Sequence, residues 1–307
     1  MASVVTLDRA PSLGSLYLRA LVTARLGGGG ALPDTEVVLD NVTPDPEHVA
    51  EYVRVCGGTL TGRLPAAYPH LLAFPLQVRL MAERAFPLPL PGLVHLRNTV
   101  TQHRRIGTAE PLSVRVHAER LATHPRGAQV DLCASAEVAG EQVWTSRSTY
   151  LARGARVTGG APAPDLEVDL PDAPTAVWRI PGDMGRRYAA VSGDVNPIHL
   201  HPLTAKAFGF PRAIAHGMWC KAHALAALES RLPEEFTVDV AFRRPVLLPS
   251  TVHFVARPSG GGVDFGLLRA GRVDAPSARG VDTPSASGVE EHLVGTVRPR
   301  AADGAGH

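Results

Sequence analysis

The chain has 307 residues, 45% hydrophobic and 20% charged, enough for a sizeable core in one large or two smaller domains. A net charge of +2, with Lys only at 206 and 221, gives no electrostatic case for a nucleic-acid partner. No run of 18 apolar residues occurs and the start is weakly basic with an acid at Asp8, so neither a membrane-spanning helix nor a secretion signal is expected, and a cytoplasmic location is.

In chain order, residues 1–35 read as an N-terminal extension. Its apolar run Leu16 to Leu26, broken by Arg19 and Arg25, predicts a helix docked on the body, with membrane-surface contact as the alternative. Next comes Tyr52-Val53-Arg54-Val55-Cys56-Gly57-Gly58, a polar loop, and Tyr68-Pro69-His70 leading into an apolar helix over Leu71 to Met81. Gly57 to Gly62 is not a phosphate loop, because it lacks both the Gly-Lys-Ser/Thr ending and the Gly-x-Gly-x-x-Gly order. Alternating stretches then predict strands from Val94 to Arg105, Leu112 to His117, Cys133 to Val138 and Val143 to Leu151. The segment 161–176, rich in Pro, Asp and Ala, reads as a linker.

The pattern then recurs. Tyr188-Ala189-Ala190-Val191-Ser192-Gly193-Asp194 echoes the run from Tyr52 at a constant offset of 136 (52 to 188, 58 to 194). Ala215-His216-Gly217-Met218 leads into an apolar helix from Trp219 to Leu228. Strands are predicted at Phe236 to Val240, Thr251 to Val255, Phe265 to Leu268 and Leu293 to Val297. The Gly-, Ser- and Pro-rich stretch from Ala270 to Gly288 is expected to be a flexible loop, and the tail from Ala301 unanchored. A central helix followed by antiparallel strands, twice, is an α+β class. Cys56, Cys133 and Cys220 are odd in number and far apart, so buried free thiols are expected rather than a zinc or disulfide framework.

The chemistry concentrates at Asp194-Val195-Asn196-Pro197-Ile198-His199. A carboxylate and an imidazole five residues apart, with a turn-forming Asn-Pro between them, can converge on one proton-transfer site. Asn196 is either a turn residue or a hydrogen-bond donor to the Asp194 carboxylate; His216 is either a pocket group or a structural histidine. Ser192 lies outside any Gly-x-Ser-x-Gly elbow, which argues against a serine nucleophile. His199, His201, Asp194 and His216 invite a metal reading, but Pro197 and Pro202 flank the His-x-His pair. Arg243 and Arg244, with Arg104 and Arg105 in the matching region of the first half, are either phosphate ligands or solvated strand ends.

The run from Tyr188 to Asp194, Asn196-Pro197-Ile198-His199 and Ala215-His216-Gly217-Met218 together strongly resemble the hydratase signature of the MaoC-like family. These are hot-dog-fold enzymes that add water to acyl thioesters or remove it. The resemblance covers most of residues 36–299, sharply in the second half and weakly in the first. It implies a double hot-dog: a degenerate module over 36–160, the linker, a catalytic module over 177–299, and a disordered tail over 300–307. Gly58 stands where Asp194 stands in the second half, so one active site per chain is implied, with the first half shaping the acyl tunnel.

The activity implied is (R)-specific hydration of trans-2-enoyl thioesters, or the reverse dehydration, in fatty-acid metabolism. Asp194 and His199 would both contact the water, without settling which serves C2. The Gly217 backbone N–H would stabilise the thioester oxyanion, its missing Cβ letting the thioester approach closely. Asn196 and His216 are the substrate-binding candidates. Neither a metal nor a cofactor is implied beyond the carrier, coenzyme A or acyl carrier protein, and the chain would act as a monomer or a homodimer. Two other readings remain: a non-catalytic acyl-thioester-binding subunit, and a hot-dog thioesterase.

Overall fold

The computed structural model describes residues 3–17, 30–270 and 290–300. The expected loop after Ala270, the tail, and residues 18–26 of the expected N-terminal helix lie outside the described residues.

One eleven-stranded sheet runs through both halves. The first half holds β1 (Ser3–Leu7), a helical segment at 13–17 (α1), β2 (Thr35–Val42), α2 (Pro46–Cys56), α3 (Pro69–Met81), β3 (Val94–Gln102), β4 (Leu112–His124), β5 (Gly127–Val138) and β6 (Glu141–Arg153). The second holds β7 (Ala176–Ile180), α4 (Met184–Ser192), α5 (Pro197–Leu200), α6 (Pro202–Ala207), α7 (Gly217–Ala227), β8 (Phe236–Phe242), β9 (Ser250–Ser259), β10 (Gly262–Arg269) and β11 (Glu291–Pro299).

The strand order β1-β2-β4-β5-β6-β3-β8-β11-β10-β9-β7 is close to a palindrome. Apart from β1, each strand of one half has its counterpart in the other: β2 with β7, β3 with β8, β4 with β9, β5 with β10, β6 with β11. Each half wraps its strands around one apolar helix, α3 or α7, so the fold is a double hot-dog. All the predicted strands are present; β1, β2 and β7 were not foreseen from the sequence.

The internal repeat is a helix with a fixed stop. Asp45 caps α2 by accepting from Glu47 N–H, Pro46 opens its first turn, and Gly57 ends it at φ 75°. Gly193 ends α4 in the same left-handed conformation at φ 70°. Tyr52 and Tyr188, equivalent in the two helices, are buried with ring centroids 6.4 Å apart.

The halves join along β3 and β8, which pair antiparallel from Arg97↔Ala241 to Gln102↔Phe236. Arg97 forms a two-pronged ion pair with Asp239, Thr99 Oγ1 donates to the same carboxylate at 3.0 Å, and Thr101 and Thr237 hydroxyls meet at 2.9 Å. Beneath the seam the fully buried Lys221 of α7 donates to the carbonyl of Asn98 at 3.1 Å and to its Oδ1 at 2.5 Å. Asn98 in turn donates to Ser146 and Ser148 hydroxyls on β6 at 3.1 and 3.0 Å.

Between β6 and β7 the chain has no regular element. Arginines hold it on the sheet: Arg97 donates to the Pro164 carbonyl, Arg243 to that of Leu166 at 2.7 Å, and Arg257 pairs with Asp169 at 2.8 Å.

The two adjacent glycines after α2 make a testable contrast. A Cβ at Gly57 would lie 2.9 Å from His223 Nδ1, which hydrogen-bonds the Cys56 carbonyl, and φ is positive there. At Gly58 the nearest atom is 3.7 Å away. Gly57→Ala is expected to cost about 1–2 kcal/mol and Gly58→Ala within about 0.5 kcal/mol, read as shifts in urea midpoint.

Candidate active site

The segment after α4 is built as a chain of local hydrogen bonds. Gly193 turns the backbone out of α4, and Ser192 Oγ accepts from Asp194 N–H at 3.2 Å. Asp194 Oδ1 accepts from Asn196 N–H at 3.2 Å, and Asn196 Oδ1 caps α5 by accepting from Ile198 N–H at 3.4 Å. Of the two sequence readings of Asn196, its side chain serves the turn; its backbone N–H, not its amide, reaches Asp194. α5 can lie against α4 because position 185 is glycine: a Cβ on Gly185 would sit 1.9 Å from the His199 carbonyl oxygen.

His199 is the third residue of this short helix and is buried. Its Nδ1 meets the Ile214 carbonyl at 2.9 Å. A carbonyl only accepts, so Nδ1 carries the proton and Nε2 keeps a bare lone pair. His216 caps the start of α7, and its Nε2 donates to the Asp194 backbone carbonyl at 3.0 Å, lying 3.8 Å from Oδ2. The two imidazoles stack with centroids 3.6 Å apart, and the buried Tyr188 ring lies 5.0 Å from His216. Burial, reinforced by His216, pushes His199 down to about 3; burial pushes His216 down to about 4. Both are neutral at pH 7, with His199 Nε2 as a base beside the Asp194 carboxylate.

Asp194, His199 and His216 present donor atoms within 4.8 Å of one another, a geometry that could take a metal ion. The His216 nitrogen nearest the carboxylate is, however, committed to the Asp194 carbonyl. His201 is outside the cluster: it is exposed and caps α6 by accepting from Leu203 N–H at 3.1 Å. A second trio, His117, Glu119 and Cys133, has the Arg147 guanidinium on Glu119, which opposes a cation.

The cluster opens into a cavity of about 210 Å³ lined by both halves. The second half contributes Asp194, Asn196, His199, His216, Gly217 and Phe242; the first contributes Tyr17, His70, Leu71, Phe74, His95 and Tyr150. Gly217 is the first residue of α7, where a backbone N–H has no acceptor within the helix. A Cβ at Gly217 would lie 2.9 Å from the Phe242 ring, so the missing side chain makes room for that ring. A bulky residue at 217 would disturb packing as well as any thioester bound there.

Tyr17 is the site residue that sequence reasoning missed. Its hydroxyl donates to Asp194 Oδ1 at 3.3 Å, and burial, with Asp194 nearby, pushes the phenol pKa well up. Leu13 and Leu16 are buried, and Leu13 packs on Gly193, so the N-terminal segment docks on the turn that carries Asp194. An aromatic within an apolar run carries no signal of such a role.

The arginines divide. Arg104 is taken by Glu110 and Glu141, both at 3.0 Å, and Arg105 lies 3.5 Å from Glu234. Arg243 and Arg244 line the cavity, Arg243 tied to the linker and Arg244 paired at 3.4 Å with Glu290.

Buried neutral bases make stability depend on pH. Burial lowers His199, His216 and His70 to about 3, 4 and 3, and Lys221 to about 7. The unfolded chain protonates these groups first. Stability is therefore full above each unfolded value (about 10.4 for Lys, about 6.5 for His) and is lost as pH falls towards the folded one. Tm is expected to fall from pH 9 to pH 5. In His199→Gln the slope of unfolding free energy below about pH 6.5 should shrink by up to one proton, about 1.4 kcal/mol per pH unit.

Comparison with known proteins agrees with this architecture. A family model described as "MaoC like domain" matches residues 162–267, the half that carries Asp194, His199 and Gly217. The chain is 40% identical over 238 residues to 3-hydroxyacyl-thioester dehydratase X of Mycobacterium tuberculosis, covering 77% of this chain and 85% of that protein. It is 37% identical over 106 residues to enoyl-CoA hydratase ChsH3 of the same organism, covering 29% of this chain and 33% of that one. The crystal structure of M. tuberculosis HtdX superposes with a TM-score of 0.72 at 35% identity, over 86% of this chain and 100% of that one. A MaoC-like dehydratase from Phytophthora capsici shares the fold at a TM-score of 0.68 and 18% identity, over 88% and 96%. The chain belongs to the MaoC-like family of hydratases and dehydratases, and is a hydro-lyase of the double hot-dog form.

Proposed function

We propose that the protein catalyses the reversible, (R)-specific hydration of trans-2-enoyl thioesters, equivalently the dehydration of (3R)-3-hydroxyacyl thioesters, in cytoplasmic fatty-acid metabolism. The observation that carries this reading is the tautomer of His199. Its Nδ1–H is spent on the Ile214 carbonyl, leaving the Nε2 lone pair beside Asp194 in a cavity of largely apolar walls.

In the hydration direction Asp194 and His199 hold one water. His199 Nε2 takes a proton as the hydroxide oxygen bonds to C3, and the C2=C3 electron pair moves towards the thioester oxygen. The Gly217 N–H stabilises that oxygen. When the enolate collapses, the proton passes from the pair to C2, so one water is added and both residues return to their starting state. The substrate is carried on coenzyme A or acyl carrier protein, and no further cofactor takes part.

One active site per chain is assigned. In the first half Gly58 follows Gly57 where Asp194 follows Gly193, and Tyr68, hydrogen-bonded to His48 at 2.8 Å, stands before α3 as His216 stands before α7. The counterpart cavity of about 90 Å³ is lined by Thr59, Thr61 and Gln102, with no paired acid and base among its lining residues.

Crotonyl-CoA gives the direct assay. Loss of the enoyl absorbance without free thiol is expected; free thiol would indicate a thioesterase, and neither signal a binding subunit. Coupling the product to an (R)-specific 3-hydroxyacyl dehydrogenase reads the stereochemistry. Asp194→Asn and His199→Gln are each expected to lower kcat about 100-fold or more while the protein stays folded. Near wild-type turnover in either would remove that residue from the mechanism. Tyr17→Phe keeps the ring and removes only the donor to Asp194, and about a 10-fold loss of kcat with little change in KM is expected. An unchanged kcat would reduce Tyr17 to a packing role.

A further inference from the structure

Two neighbouring imidazoles in the cavity, His70 and His95, have no part in the proposed hydration. His70, the second residue of α3, is 4% exposed, and its Nδ1 is buried without a partner among the described residues. His95 is carried on β3, where a register irregularity against β6 between His95 and Arg97 interrupts the strict alternation of the strand. Its ring stacks on Tyr150 with centroids 4.5 Å apart, touches Phe242 at 4.9 Å, and lies 6.3 Å from His70. Its Nε2 is buried, again without a partner among the described residues. Both residues line the cavity, within an apolar wall that includes Leu71, Phe74 and Leu93. Phe242 is the ring that packs on Gly217, so His95 stands one ring away from the start of α7.

Burial keeps both groups neutral: His70 is pushed down to about 3 and His95 well below its usual value, with Lys221 adding to each. A neutral imidazole offers one N–H and one lone pair. In His95 a backbone hydrogen bond to Arg97 engages one nitrogen, which leaves an acceptor on the other. Buried polar atoms nearly always find partners, and stripping them of water without replacement is costly. A plain alkyl chain drawn across His70 and His95 would impose that cost. A hydroxyl would offset it, because it donates to a bare nitrogen and accepts from an N–H. A ketone or an ether could only accept.

We propose that His70 and His95 form a subsite for a hydroxyl group on the acyl chain, beyond the reacting carbons, so that the enzyme favours hydroxylated acyl thioesters over plain alkyl ones. The assignment rests on the cavity being the acyl-thioester site. It adds a substrate class that the acid–base pair does not determine, since Asp194 and His199 act only on C2 and C3.

The test compares trans-2-enoyl-CoA substrates of one chain length, either plain or with the hydroxyl moved one carbon at a time along the chain. At one position kcat/KM should exceed that of the plain chain about 10-fold or more. In His70→Leu and His95→Leu that ratio should fall towards one. Calorimetric binding of the matching saturated acyl-CoAs, which cannot react, should show the same preference in the wild-type protein. No preference at any position would overturn the subsite. So would variants that weaken plain and hydroxylated chains equally, since the imidazoles would then serve the amides of the carrier arm. If no enoyl thioester turns over but the binding preference holds, the hydration reading fails and the subsite stands.

Discussion

The antiparallel seam between β3 and β8 is the constraint on which the site depends. A curled sheet of five strands buries one face of its helix and leaves an edge that must be paired or covered. Joining the two halves at that edge removes it and also brings α3 and its neighbours to the mouth of the second half. Asp194, His199, His216 and Gly217 come from the second half, yet much of the wall they face comes from the first. The polar contacts across the seam, Arg97 with Asp239 and Lys221 with Asn98, therefore hold the Asp194–His199 cluster and that wall together. A lysine buried there is costly unless fully bonded, and its partner Asn98 is itself held by two serines of β6.

The pseudo-symmetry of the sheet does not extend to the chemistry. Both halves keep the helix that stops at a left-handed glycine and the aromatic pair Tyr52 and Tyr188 at its centre. Only the second continues into a capped turn carrying Asp194 and His199. The first half keeps the architecture without the acid–base pair, which leaves its helix and strands free to carry residues such as His70, His95 and Tyr150 that face the other half's site.

What the sequence revealed follows from how local each device is. Asp194, Asn196, Pro197 and His199 form one turn whose hydrogen bonds span two residues, so spacing alone exposed it. The apolar helices and alternating strands were legible for the same reason. Tyr17 reaches Asp194 across 177 residues, and Gly217 owes its missing side chain to Phe242 on a strand 25 residues on (242 less 217). The register irregularity at His95 is a property of pairing with β6, and Gly185 matters because α5 folds back on α4. None of these leaves a periodic trace. The strands β1, β2 and β7 escaped notice because β1 and β7 are short edge strands of five residues each, and β2 is split by a register shift near its end.

The burial of the imidazoles also bears on how the site turns over. A histidine held near 3 resists keeping a proton at neutral pH, so in the proposed hydration a proton taken from water would not stay on His199. That suits a reaction in which it passes to carbon on the same substrate within one turnover. The Asp194 side chain is 23% exposed and is hydrogen-bonded by Tyr17, so it stands between the dry imidazoles and the open side of the cavity. The N-terminal segment that brings Tyr17 there is thus part of the electrostatic design. It screens the carboxylate from bulk water on one side, while the stacked His216 holds the turn from the other. With both flanks fixed, the free edge of the pair is the one that faces the cavity, which is where the proposed hydration would hold its water between Asp194 and His199 Nε2.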